Sequence, residues 1–225
     1  MSIEKIKTRG YWEIVIHPSR FVERRVANIL DLREIVRTRQ VAIRGWSFPH
    51  YGRDEPQVRA DHIVQEVDFL AHVESWRLYQ SGMFVYLGGY RIDWAEQDTA
   101  LFGGLGRPAP GTGLGVADTI WILTEAFEFA ARLALTEAGD DRMRIAATAH
   151  DLSGRVLQIE LPGRDLPPRF RLEGLDALPQ AGEFSREKLA AEAKIIALDW
   201  AREVFRRFGW DASSEVLREI QIRAG

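Results

Sequence analysis

The chain contains no cysteine among its 225 residues, which excludes disulfides, thiolate metal sites and cysteine nucleophiles in one step. It also has no apolar run approaching the roughly 18 to 20 residues that a membrane span requires. The opening MSIEKIKTRG carries basic residues, but no apolar segment of secretory-signal length follows them. These absences lead to the expectation of a cytoplasmic protein with no membrane partner. Internal repeats are lacking, and low-complexity sequence is limited to one glycine-rich stretch. Ser47, Ser81 and Ser153 do not sit in a Gly-x-Ser-x-Gly elbow, and the five histidines are scattered, so no nucleophilic triad is signalled.

What is present is ordinary globular composition. Hydrophobic residues make up 46% of the chain and charged residues 28%, enough apolar surface to offset the entropy lost on ordering. Net charge is only −3, yet it is unevenly distributed: up to residue 53 there are 11 Lys and Arg against 5 Asp and Glu, and the remainder is acidic. A basic N-terminal quarter admits nucleic acid as a partner, although scattered arginines more commonly form a solvated face.

Hydrophobic periodicity predicts an α+β fold. Tyr11 to His17 alternates as a strand, with Trp12, Ile14 and Ile16 on one face, and Pro18 ends it. A helix is expected over residues 29–38, where Leu32, Ile35 and Val36 form a stripe behind Asn28, and a strand over Val41 to Phe48. From Val58 to Trp94 the pattern is β-rich and antiparallel, with segments at 63–67, 76–79, 83–87 and 90–94 separated by Ser81-Gly82 and Gly88-Gly89. For residues 69–80 a helical turn is the alternative. Residues 103–115 hold six glycines and two prolines and read as a linker. Val116 to Thr136 is apolar nearly all round, as a buried helix is. Residues 142–161 suggest a β-hairpin about Asp151 to Gly154, and 161–182 a Pro- and Gly-rich connection. Ser185 should cap a long helix ending near Gly209, with a short helix after Asp211. The expected organisation is a β-rich lobe at 1–102, the linker at 103–115 and a helix-hairpin-helix lobe at 116–225, packed as one compact unit.

Three features invite a chemical reading. The glycine loop precedes a helix, but Gly111, Gly113 and Gly115 have the wrong spacing for a dinucleotide fingerprint and no Gly-Lys-Ser or Gly-Lys-Thr follows, so a connector is expected rather than a phosphate cradle. Asp61, His62 and Glu66, with Asp68 and His72 nearby, place carboxylates and imidazoles close enough to suggest a divalent metal and a metal-dependent hydrolase or nuclease. The spacing matches no established ligand set, and a solvated ion-paired face explains it equally. The third feature is the concentration of aromatic residues in the first half. Arg44, Trp46, His50 and Tyr51 combine a cation with rings at the exit of a strand, and they are either core and turn or a recognition groove.

GYWEIVIHP at 10–18, RGWSFPHY at 44–51 and ESWRLYQSGMF at 74–84 resemble segments of an uncharacterised bacterial family whose relatives sometimes follow a Schlafen-type AlbA-like domain, a nucleic-acid-associated module. The resemblance extends through the long C-terminal helix, carries no catalytic residues, and brings none of the AlbA-like activity with it. It implies an accessory or sensing module in a prokaryotic defence or nucleic-acid-linked system. The expected function is therefore a non-enzymatic binding or interaction module without a cofactor, binding most plausibly another protein through Arg44, Trp46, His50 and Tyr51. The alternatives are the metal-dependent hydrolase or nuclease around Asp61 and a structural oligomeric subunit.

Overall fold

The computed structural model describes residues 2–97, 109–161, 166–167 and 170–223. Its centre is strand β1 (Tyr11–Pro18), whose alternate residues Trp12, Ile14 and Ile16 are buried, so both edges of the strand are free to pair. One edge is antiparallel to β7 (Phe84–Gly89) and the other to β9 (Arg142–His150), with Ile14 opposite Tyr86 on one side and Ala147 on the other. Beyond these lie β6 (His72–Tyr79), β5 (His62–Phe69) and the two-residue β4 (Gln57–Val58) in one direction, and β11 (Ala177–Ser185) in the other. The result is one seven-stranded sheet, order β11-β9-β1-β7-β6-β5-β4, antiparallel at every pairing. The fold is α+β. Strands from both halves of the chain share this sheet.

Helices cover one face of it. Helix α1 (Ser2–Ile6) lies on the other, where Ile6 packs with Val73 and Trp94. On the main core face, α2 (Asp31–Arg39) buries the predicted Leu32, Ile35 and Val36. Helix α3 (Val116–Leu133) is buried on nearly all sides, and Phe129 meets Phe84 and Phe48 at ring distances of 4.7 and 5.9 Å. Helix α4 (Arg186–Arg207) begins where Ser185 accepts the Lys188 N–H and ends before Gly209 at φ +85°, a backbone state that glycine adopts without steric cost. Helix α5 (Ser214–Ile222) is capped by Ser213.

Tertiary pairing overrides the local pattern at several places. Val41 to Phe48 is not one strand but two short ones, β2 (Val41–Ala42) and β3 (Ser47–Phe48), folded back on each other about Gly45 at φ +86°. Residues 69–80 contain strand β6, not a helical turn, because Trp76 and Leu78 alternate into the core. The expected strand at 90–94 is a 3-10 helix, Arg91–Gln97. The hairpin expected over 142–161 does not form. Asp151 and Gly154, both at positive φ, turn the chain out of the sheet, and β10 (Val156–Gln158) pairs parallel with β8 (Gly113–Gly115) instead. The last part of the expected 161–182 connection is edge strand β11, an Ala-, Pro- and Gly-containing segment whose own propensity gives little sign of it. Of the 103–115 linker, residues 103–108 lie outside the described residues, and Gly113 to Gly115 form β8.

A buried ion pair explains the 3-10 turn. Asp93 and Arg155 are both fully buried, with guanidinium nitrogens 2.8 and 2.7 Å from the two carboxylate oxygens. Asp93 also accepts the N–H groups of Gly10 and Gly111, and Arg155 donates to the Gly113 carbonyl and to Asp151. The start of β1, the 3-10 helix, β8 and the turn before β10 are thus pinned to one point. Replacing Asp93 with Ala leaves a buried guanidinium without its main counter-ion, and a loss of about 3–5 kcal/mol is expected in urea denaturation.

Candidate functional site

The residues between β2 and β3 form a short loop whose direction is set by Gly45, and this loop turns Arg44 inward. The Arg44 side chain is buried. Its Nη1 lies 2.5 Å from Asp118 Oδ1, its Nη2 2.5 Å from Glu125 Oε2, and its Nε donates to Glu125 Oε1 at 3.2 Å. Asp118 and Glu125 are seven residues apart on α3, two helical turns, so both reach the same side. Burial opposes the arginine charge, but the two carboxylates outweigh it and hold the guanidinium charged. Burial also pushes the Glu125 carboxyl up, while Arg44 pulls it back.

Trp46 follows on the same loop and is only partly buried. The guanidinium carbons of Arg44 and Arg91 lie 5.1 and 4.2 Å from its ring centroid, and the His72 ring is tilted against it at 4.9 Å. Strand β6 delivers His72 and Glu74 to the core face because they share the parity of Trp76 and Leu78. Glu74 is buried and receives three donors: His72 Nε2 at 2.7 Å, the His50 backbone N–H at 2.8 Å and the Tyr86 hydroxyl at 3.2 Å. Burial by itself would raise Glu74, but His72 and the His50 N–H outweigh it and hold the carboxyl below its ordinary value. Tyr86 goes the opposite way: burial, and then Glu74, raise its hydroxyl well above the usual range. Burial lowers His50, favouring the neutral ring. Gly88 leaves the space that the Tyr86 hydroxyl occupies.

Trp12, Arg44, Trp46, His72, Tyr86 and Arg91 contribute to the wall of a small hollow beneath the Trp46 loop. Its cavity volume is about 10 Å³, space for a single water. Trp12 is 2% exposed, and its indole N–H has no hydrogen-bond partner among the described residues.

Of the four residues singled out in the sequence, Arg44, Trp46 and His50 come together here. Tyr51 does not join them. It packs partly against the core, its N–H reaches the Ser47 hydroxyl at 3.4 Å, and its surroundings are Arg33, Glu34, Arg37 and Glu55. Of the residues grouped around Asp61, His62 Nδ1 meets Asp61, His72 lies on the opposite face of the sheet and meets Glu74, and among the described residues no three His, Asp or Glu side chains are placed to hold a metal ion. Sequence reasoning missed Glu74, Asp118, Glu125 and Arg91 as members of the site. Three of these left a trace: Glu74 breaks the apolar alternation of its strand, and Asp118 and Glu125 are carboxylates inside a largely apolar helix.

Comparisons of the chain with protein-family models, curated proteins and solved structures give no match.

A fourth carboxyl lies next to Asp118. Glu160 accepts the Ala117 N–H at 3.0 Å at the start of α3, where a side chain at Gly115 would collide with it, and burial pushes its pKa up to about 7. The two carboxyls predict opposite pH responses. Glu160 titrates higher folded than unfolded, so its contribution is complete below about pH 4.3 and lost as pH rises through about 7. Glu160→Gln should therefore gain stability over the parent between pH 5 and pH 8, by roughly 1–3 kcal/mol at the upper end. Glu74 titrates lower folded, so its contribution is present above about pH 4.3 and lost below. Glu74→Gln should cost roughly 1–3 kcal/mol at pH 7, with the gap closing as pH falls through 4. Urea denaturation across pH measures both.

Proposed function

We propose that this chain is a non-enzymatic binding and sensing module that holds a protein partner through the Trp46 loop. The observation that carries this reading is that Trp46 stays partly exposed while the charge of Arg44 beside it is neutralised internally by Asp118 and Glu125. Nucleic acid is held mainly by cations that neutralise phosphates, and Arg44 has none of its charge to spare. A tryptophan flanked by guanidinium groups and a histidine ring has instead the composition of a protein-interface anchor. The loop rests on α3 and β6, so a partner meets a preformed surface. The resemblance of residues 10–18, 44–51 and 74–84 to a family whose relatives sometimes follow an AlbA-like domain supports reading this role as part of a prokaryotic defence or nucleic-acid-linked system.

Trp46→Ala should leave the fold intact, lowering stability by less than about 1.5 kcal/mol, because the ring is not enclosed by core. The immobilised wild-type chain should retain a protein from the source lysate that the variant does not. A fluorescently labelled single-stranded 20-mer should show no anisotropy change that depends on Trp46. Salt-sensitive oligonucleotide binding abolished by Trp46→Ala would replace the protein partner with nucleic acid, and a stability loss above about 3 kcal/mol would make the ring a core residue instead.

A further inference from the structure

On the face of the sheet away from α3 and α4, the loop before β4 and strands β4, β5 and β6 enclose an open hollow of about 670 Å³. This is within the range of small-molecule sites, and far larger than the space beneath Trp46. The lining is almost wholly polar: Asp54, Glu55, Gln57, Arg59, His62, Glu66 and Arg77 with the single aliphatic Val64 and the amide of Gln65. Such walls do not suit an apolar cofactor, whose burial against charged groups would cost desolvation without return.

Most of the walls are fixed by internal bonds. Glu55 is paired with Arg33, which also donates to the Pro56 carbonyl at 2.9 Å. Arg59 donates to Gln57 at 2.6 Å, Gln65 to the Asp54 carbonyl at 3.0 Å, and His62 is held by Asp61 on one side and tilted against the Tyr79 ring at 4.7 Å. Arg77 is not fixed in this way. It lies on β6 opposite Val64 of β5 and Val85 of β7, so neither directly opposed residue supplies a counter-ion. It is half-buried, and its guanidinium makes no hydrogen bond or ion pair among the described residues.

We propose that this hollow is a binding site for a small polar molecule whose single oxyanion, carboxylate or phosphate, is held by Arg77. A guanidinium presents a planar fork of donors to either group, and here the fork is preformed and unused. Asp54 on the same wall repels an extended polyanion and favours a ligand whose other end is cationic or rich in donors. The ligand class is thus zwitterionic, an amino acid or an amino-phosphate ester. The site is on the opposite side of the sheet from Trp46, and does not depend on the protein-partner reading.

The test is thermal denaturation of the full chain with phosphoethanolamine, with 4-aminobutyrate and with sodium chloride at matched ionic strength. A ligand that binds only the folded state, at ten times its Kd, raises the melting temperature by a few degrees. One of the two zwitterions is expected to do so, which identifies phosphate or carboxylate as the bound group. The rise should vanish in Arg77→Gln, fall severalfold in Arg77→Lys, and persist in Arg37→Gln, a control on exposed α2. Without ligand, Arg77→Gln should melt with the parent, because the guanidinium has no internal partner to lose. The proposal is overturned by an equal rise with chloride, by no rise with either zwitterion at 20 mM, by a rise that survives Arg77→Gln, or by a ligand-free melting point several degrees lower in that variant.

Discussion

The burial of one charged group, Arg44, between two carboxylates of α3 is the interaction from which the geometry of the site follows. A guanidinium cannot lose its proton, so once the loop between β2 and β3 points it inward, acceptors must be there to meet it. Asp118 and Glu125 supply them from positions two turns apart on a largely apolar helix. A hydrophobic replacement of the whole triad could be just as stable, since desolvation offsets much of the attraction. What the triad gives is position: it sets where the loop crosses α3, and hence where Trp46 stands over His72.

The same logic repeats at Arg155 and Asp93, where a second buried pair ties four chain segments together. Each pair removes freedom from a segment with little regular structure of its own. Between the two anchors lies the central strand β1, with Trp12 facing the Trp46 hollow and Tyr11 stacked on His150 at 4.4 Å on the other face. The sheet thereby separates two chemical environments. Its helix-covered face encloses neutralised charge around an aromatic loop, and its other face carries a polar hollow lined in part by Arg77.

Much of the architecture was legible wherever a single periodicity ran unbroken. Trp12, Ile14 and Ile16 marked β1, the apolar run from Val116 marked α3, and Ser185 with Gly209 bounded α4 to within a residue or two. Legibility failed where pairing partners are distant. The Asp151–Gly154 turn has hairpin chemistry, yet β10 finds β8 because Arg155 is drawn to Asp93, 62 positions away. Strand β11 exists because β9 offers an unpaired edge, not because its residues favour extension. The candidate site divides in the same way. Arg44, Trp46 and His50 are close in sequence and could be noticed together, whereas Tyr51, their immediate neighbour, turns elsewhere.

By itself the sequence determined the fold class, the absence of thiol chemistry, the identity of the buried stripes and the caps of α4, because each depends on local periodicity or on composition. Tertiary structure alone decided that the two halves share one sheet, that Arg44 spends its charge internally, that Glu74 sits beneath Tyr86 and His72, and that the Arg77 guanidinium meets no counter-ion among the described residues. The physical reason is that charge neutralisation, unlike helix or strand periodicity, is settled between residues tens of positions apart. No local pattern states which cation will meet which carboxylate.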